Sequence, residues 1–196
     1  MKKILLLFIS LGFTSCATFT SKEKAVIYSE PGKSARVTLI TNPQDSVVLR
    51  TPSKDIRKIK NNKDLAALIE IMKKTMEVEN GVGIAAPQIG INKNIFLFLR
   101  LDKPNTPVQV AINPKILSHP SETTCFLYDG CLSVPDRYGN SQRYSWIEVE
   151  YKNEKGETIR EKLLGGGRKE DYTGVIFQHE FDHINGKLYI DKLCNE

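Results

Sequence analysis

Val175-Ile-Phe-Gln-His-Glu-Phe-Asp-His-Ile-Asn-Gly186, near the C-terminus, is the stretch that decides how this chain folds. At about 100° per residue on a helix, Val175, Ile176, His179 and His183 share one arc, Glu180 stands at its edge, and Phe177, Phe181 and Ile184 occupy the far side. Only Gln178 and Asp182 make a polar stripe. A helix apolar on two sides is buried between layers, and Asn185-Gly186 is a left-handed C-terminal stop. This helix is therefore the centre of the domain, and the remaining elements must wrap it.

The same stretch carries chemistry. Two His four apart put both imidazoles on one helix face, the spacing that holds one metal ion, and Glu180 then falls beside the ion, where a general base takes a proton from water. Buried histidines without partners are costly, which favours ligation over an incidental pair. A catalytic metal of this kind needs a third protein ligand. Only thirteen residues follow His183, with no His and only Asp191 and Glu196 as acids, so the ligand must come from upstream. That disfavours an endopeptidase of the zincin type, which takes it from downstream. His119, in a polar Ser-His-Pro-Ser turn, reads as an exposed loop histidine. Cys131 sits in Tyr128-Asp-Gly-Cys-Leu-Ser-Val-Pro135, with Gly130 allowing close backbone approach and Pro135 ending the segment; by itself it reads equally as a ligand and as a small buried hydrophobe.

Further outward, Lys63 to Val78 carries Leu65, Leu68, Ile69, Met72 and Met76 at helical spacing behind an Asn61 or Asn62 cap, a core stripe. Residues 81–90 form a Gly-rich loop that lacks the feeding strand, third Gly and Gly-Lys-Ser/Thr of phosphate binders. Strands are predicted at Asn94 to Arg100 and Val108 to Ile112, and Ile147–Tyr151 and Thr158–Leu163 flank a turn at Lys152–Gly156 as a β-hairpin. Helix, strands and final helix in that order give an α+β domain with largely antiparallel sheets around a central C-terminal helix. The 196 residues, 40% of them hydrophobic, suffice for one domain and not for two. The formal charge of +5, which falls to +3 without Lys2 and Lys3, is spread among acids rather than gathered in a stripe, which excludes a nucleic-acid footprint.

Residues 1–16 have a short basic head, an apolar run from Ile4 to Phe13 and small residues before Cys16, as a secretory signal does; the run is too short for a stable membrane span. Phe13-Thr-Ser-Cys16 resembles a bacterial lipoprotein cleavage site, which implies a lipid anchor through Cys16, although position 13 is usually Leu. Residues 17–36 read as a polar tether, and 37–196 as the catalytic domain.

Three blocks resemble those of peptide deformylases: Gly81-Val-Gly-Ile-Ala-Ala-Pro-Gln88, Asp129-Gly-Cys-Leu-Ser133 and Gln178-His-Glu-Phe-Asp-His183, in that order, within a resemblance running from about Leu39 to Leu193. The resemblance implies that Cys131, His179 and His183 bind one divalent metal, expected to be ferrous iron, with zinc, nickel or cobalt able to take the same site. It implies that Glu180 is the general base and that Gln88 and the backbone N–H of Leu132 stabilise the oxyanion. Val82, Leu127, Tyr172, Val175 and Ile176 would line a methionine pocket, and the Gly83 backbone would pair with the substrate main chain. The implied activity is removal of the formyl group from N-formylmethionyl peptides or nascent chains by a monomer. The alternative is an exported lipoprotein that binds metal or formyl peptides with weak or altered activity. Two departures stand out. Asp129 replaces the family's Glu, whose expected partner is aligned with Arg143, and export conflicts with a family that works in the cytoplasm. With Cys16 and Cys131 so assigned, Cys125 and Cys194 are expected to be two free thiols, with pairing open to them in an oxidising compartment.

Overall fold

The computed structural model describes residues 18–29 and 32–194, so the signal-like segment and Cys16 lie outside the described residues. No helix among the described residues is long and apolar enough to cross a membrane.

Helix α1 (Ser21–Ile27) is followed by α2 (Pro43–Leu49) and α3 (Lys63–Val78), then by strands β1 (Gly83–Ala85), β2 (Ile95–Leu99), β3 (Val108–Ser118), β4 (Thr124–Cys131), β5 (Val134–Arg143), β6 (Trp146–Lys152) and β7 (Thr158–Leu164), and by α4 (Thr173–Ile184). Short 3₁₀ turns occupy Ala86–Ile89 and Tyr189–Asp191. One sheet has the order β1-β2-β3-β6-β7, and β4 and β5 pair separately. Every pairing between these strands is antiparallel, as the order of predicted elements requires.

Alternation along β2 explains how the layers assemble. Successive strand residues face opposite sides. Ile95 and Leu97 join a core with Leu65, Leu68, Met72 and Met76 of α3, whereas Phe96 and Phe98 join a second core with Ile176, Phe177 and Ile184 of α4. The sheet is thus covered by one helix on each face. Phe177 anchors the second core by edge-to-face contacts, with its ring 4.8 Å from Phe96 and 5.4 Å from Phe98. The α3 stripe is buried at every predicted position, and the Asn62 side chain accepts a hydrogen bond from Leu65 N. Helix α4 ends as expected, at Asn185, before Gly186 with φ 71°.

Three expectations change. Of the expected tether, residues 19–27 belong to the packed domain: Thr20 and Glu23 form a reciprocal capping box on α1, Phe19 and Ile27 enter the first core, and Lys93 pairs with Glu23. The predicted strand at Val108 to Ile112 runs on to Ser118, because a register shift between Ile112 and Lys115 absorbs Pro114. At that shift Asn113, at φ 51°, has its side chain bonded to both backbone groups of Ile56. Finally, Cys125 and Cys194 are disulfide-bonded rather than free. The chain's last described residues lie along β5, where Cys194 N donates to Asn140 O and Gln142 N donates to Lys192 O, and this carries Cys194 up to β4.

Candidate active site

Helix α4 and the β4–β5 hairpin build the site between them. Pairing of Cys131 with Val134 makes a tight turn, and this turn presents the Cys131 sulfur to the His-bearing face of α4. Cys131 Sγ lies 3.2 Å from His183 Nε2, and one donor atom from each of Cys131, His179 and His183 falls within a 4.8 Å cluster. His179 Nδ1 is 3.1 Å from Asp129 Oδ1, which directs Nε2 toward the other two donors. The donor set tests well for a cation. One cysteine sulfur and two imidazoles converge, a mixed set suited to iron, zinc, nickel or cobalt. Beside it Glu180 Oε2 is buried without a hydrogen-bond partner.

A buried chain of charges supports the cradle. Asp129 Oδ2 accepts from Ser141 Oγ at 2.5 Å and from Arg143 Nη2 at 2.8 Å; Arg143 Nη1 donates to Asp182 Oδ2 at 2.6 Å, and Lys192 Nζ reaches Asp182 Oδ1 at 2.5 Å. The carboxylate–Arg pair is therefore kept with Asp129 in place of Glu, one methylene shorter. Burial alone would raise the Asp129 pKa, but His179 and Arg143 outweigh it and hold the carboxyl well below its usual range. Burial likewise works against charge on His179, yet the facing Asp129 carboxylate holds its pKa well above the ordinary value. His183 is pushed well below by burial and by the charge on His179. Burial pushes Glu180 up to about 7.

Helix α4 and β1 come very close at Glu180. A Cβ on Gly83 would lie 2.4 Å from Glu180 Oε1, so a side chain here would displace the carboxylate. Gln88 follows on the 3₁₀ turn. Its Oε1 accepts from Ala85 N at 2.8 Å, which turns Nε2 toward Cys131 Sγ at 3.7 Å.

A cavity of about 440 Å³ opens on these groups. Of the pocket residues expected from sequence, Val82, Gly83, Tyr172, Val175 and Ile176 line it, as do Gln88, Leu132 and Glu180. Leu127 does not; it is 52% exposed on the hairpin's outer face, and Phe126, 6% exposed, takes the place expected of it. An uninterrupted strand would put Cys131, Asp129 and Leu127 on one face. A register shift between Phe126 and Asp129, with Tyr128 at φ 57°, reverses that parity. Sequence reading also missed Ser141 and Tyr138, and it saw Asp182 only as part of a polar stripe. A positive φ at a tyrosine such as Tyr128 leaves no mark in the sequence, whereas Asp182 was recoverable once α4 was recognised as buried on all sides. His119 is exposed on the far loop and stacks on Tyr144, with ring centroids 3.8 Å apart.

Residues 37–196 match the family model described as polypeptide deformylase. A peptide deformylase of Synechocystis is 38% identical over 172 residues, which cover 87% of this chain and 87% of the relative. The crystal structure of the Thermotoga maritima peptide deformylase superposes with a TM-score of 0.70 at 36% identity, covering 83% of this chain and 99% of that one. A peptide deformylase of Acinetobacter baumannii solved with Met-Ala-Ser bound gives 0.67 at 31% identity, covering 82% and 98%.

Proposed function

The chain belongs to the peptide deformylase family, and from that premise we propose that it hydrolyses N-formylmethionyl peptides to formate and a free α-amine. The observation that carries the reading is the convergence of Cys131, His179 and His183 with Glu180 and Gln88 at the floor of one cavity.

A divalent ion held by Cys131, His179 and His183 supplies Lewis acidity, lowering the pKa of water and polarising a carbonyl oxygen. Glu180, buried and raised toward neutrality, takes the proton of the attacking water at its carboxylate and returns it to the leaving amine nitrogen. Gln88 Nε2 and the Leu132 backbone N–H donate to the formyl oxygen as it gains charge, donors whose loss commonly costs on the order of 100-fold in rate. Asp129 fixes the ring of His179 and leaves its Nε2 lone pair for the ion. Strand β1 is an edge of the sheet, so the Gly83 backbone is open to pair with an extended peptide. Val82, Phe126, Tyr172, Val175 and Ile176 receive the methionine side chain. Every one of these groups comes from one chain, which supports action as a monomer. Ferrous iron is the proposed resident ion, with zinc, nickel and cobalt suited to the same donors. Intact Glu180 and Gln88 beside the cradle disfavour a lipoprotein that only binds.

The test is formate release from formyl-Met-Ala-Ser by anaerobically purified protein. Turnover with iron that is lost in Glu180→Ala is expected; no release with iron, cobalt or nickel would sink the reading.

Export is a separate proposal. It rests on the basic and apolar start of residues 1–16, which makes Cys16 the site of a lipid anchor, and it is supported by a Cys125–Cys194 disulfide, a bond that persists in oxidising compartments. The substrates there would be secreted or extracellular formyl peptides. A reporter fused after residue 16 that stayed in the cytosol would end the idea.

A further inference from the structure

The Cys125–Cys194 bond closes a ring around the metal cradle. Cys125 is the second residue of β4, and Cys131, the one free cysteine among the described residues, is the last of that strand. Cys194 ends the segment that leaves α4, eleven residues after His183. Between them that segment makes the contacts that steady the ligand helix. Lys192 holds Asp182, the carboxylate that also grips Arg143. Tyr189, 1% exposed, lies nearly parallel to the His179 ring with centroids 6.3 Å apart, and its hydroxyl donates to Arg137 O on β5. From Lys192 onward the segment lies along β5: Gln142 N donates to Lys192 O, Cys194 N donates to Asn140 O, the Gln142 side chain donates to Leu193 O, and Leu193 bridges to Ser141 and packs with Val134, Leu188 and Tyr189. The disulfide adds to these a covalent tie between Cys194 and β4.

We infer that Cys125 and Cys194 are a positioning pair, whose disulfide holds the C-terminal segment over His179 and Asp182 and so makes retention of the catalytic metal depend on oxidation of a site remote from the ligands. The inference rests on the metal-cradle reading given above. Forming the bond removes two protons and two electrons from the two thiols; a protein or small-molecule disulfide accepts them and becomes two thiols. A dithiol reductant reverses the exchange. In a reducing compartment that covalent tie is absent, and the segment's hold on the His179 side of the cradle is weaker.

The experiment uses the full chain loaded with cobalt, whose thiolate and ligand-field absorption reports the site. Non-reducing digestion of protein matured in an oxidising compartment is expected to recover the Cys125 peptide joined to the Cys194 peptide. Release of cobalt to a chelator is expected to be about 10-fold faster in the Cys125→Ser/Cys194→Ser variant than in the linked chain, the size of effect that loss of support around a ligand produces. Should the variant fold poorly, reduction of the wild-type chain gives the same contrast, and re-oxidation with a small-molecule disulfide is expected to restore slow release. Unlinked peptides, or equal release from linked and unlinked chains, would overturn the inference. Failure of the linked chain to bind cobalt at all would instead sink the cradle reading.

Discussion

The most consequential single residue is Glu180. Its Oε2 is buried without a partner and its Oε1 borders the space that only Gly83 leaves open, so the carboxylate is held for use rather than for stability. Glu180→Gln is expected to lower kcat by about 10²- to 10⁴-fold, the range that a positioned acid–base group supplies, with metal content unchanged by elemental analysis. Asp129 acts differently because it touches the ligand and not the substrate. Asp129→Asn removes the charge that His179, Ser141 and Arg143 all face, and Arg143 would then be buried with Asp182 as its remaining carboxylate. Metal affinity is expected to fall about 10- to 100-fold, measured by competition with a chelator. An unchanged affinity would show that His179 needs no orienting carboxylate.

At the scale of elements, α4 does two tasks that constrain each other. One arc holds ligands and base, and the opposite arc carries Phe177 into the aromatic cluster of the sheet. Phe177→Ala is expected to cost about 3–5 kcal/mol, read as a lower denaturation midpoint, and to weaken metal retention with it because helix and ligands move together. This duality is why α4 was legible: a short run of Phe, Ile and Val around two His has few other ways to be satisfied. The α3 stripe was legible for the simpler reason of its periodicity. The β4–β5 hairpin was not. Its outer face is polar or exposed along most of its length, and the shift at Tyr128 breaks the alternation by which a strand is recognised, so Leu127 was assigned the place of Phe126. Helix α1 was missed because its seven residues contribute a single buried side chain, too little for a pattern. The Cys125–Cys194 pairing joins residues 69 apart, and no local signal records such a meeting.

At the scale of the whole molecule, charge pairs set how the fold responds to acid. The Arg36 guanidinium lowers Asp45 from 3.8 to about 2, and Arg100 lowers Asp102 from 3.8 to about 2. A carboxyl depressed in the folded state contributes stability above its unfolded value and loses it as pH falls through the folded one. Melting temperature is therefore expected to drop between about pH 4 and pH 2 as these carboxyls take up protons. Asp102 should carry the larger share, since Arg100 is buried against both Asp102 and Glu161 whereas Arg36 is 68% exposed and screened by solvent. Melts of Asp102→Asn that kept the full acid sensitivity of the parent would count against this assignment.

The place of α4 in the chain has a consequence for how the protein is made. Synthesis runs from the N-terminus, so Phe96, Phe98, Val149 and Tyr151 are all threaded out before Phe177, Ile176 and Ile184 exist to cover them. Until residues 173–184 have emerged, that face of the sheet has no cover, and the growing chain exposes aromatic surface. Two of the three metal ligands arrive in that same final helix. The aromatic core on this face and the metal cradle are therefore expected to be completed in one step, when α4 docks on the sheet.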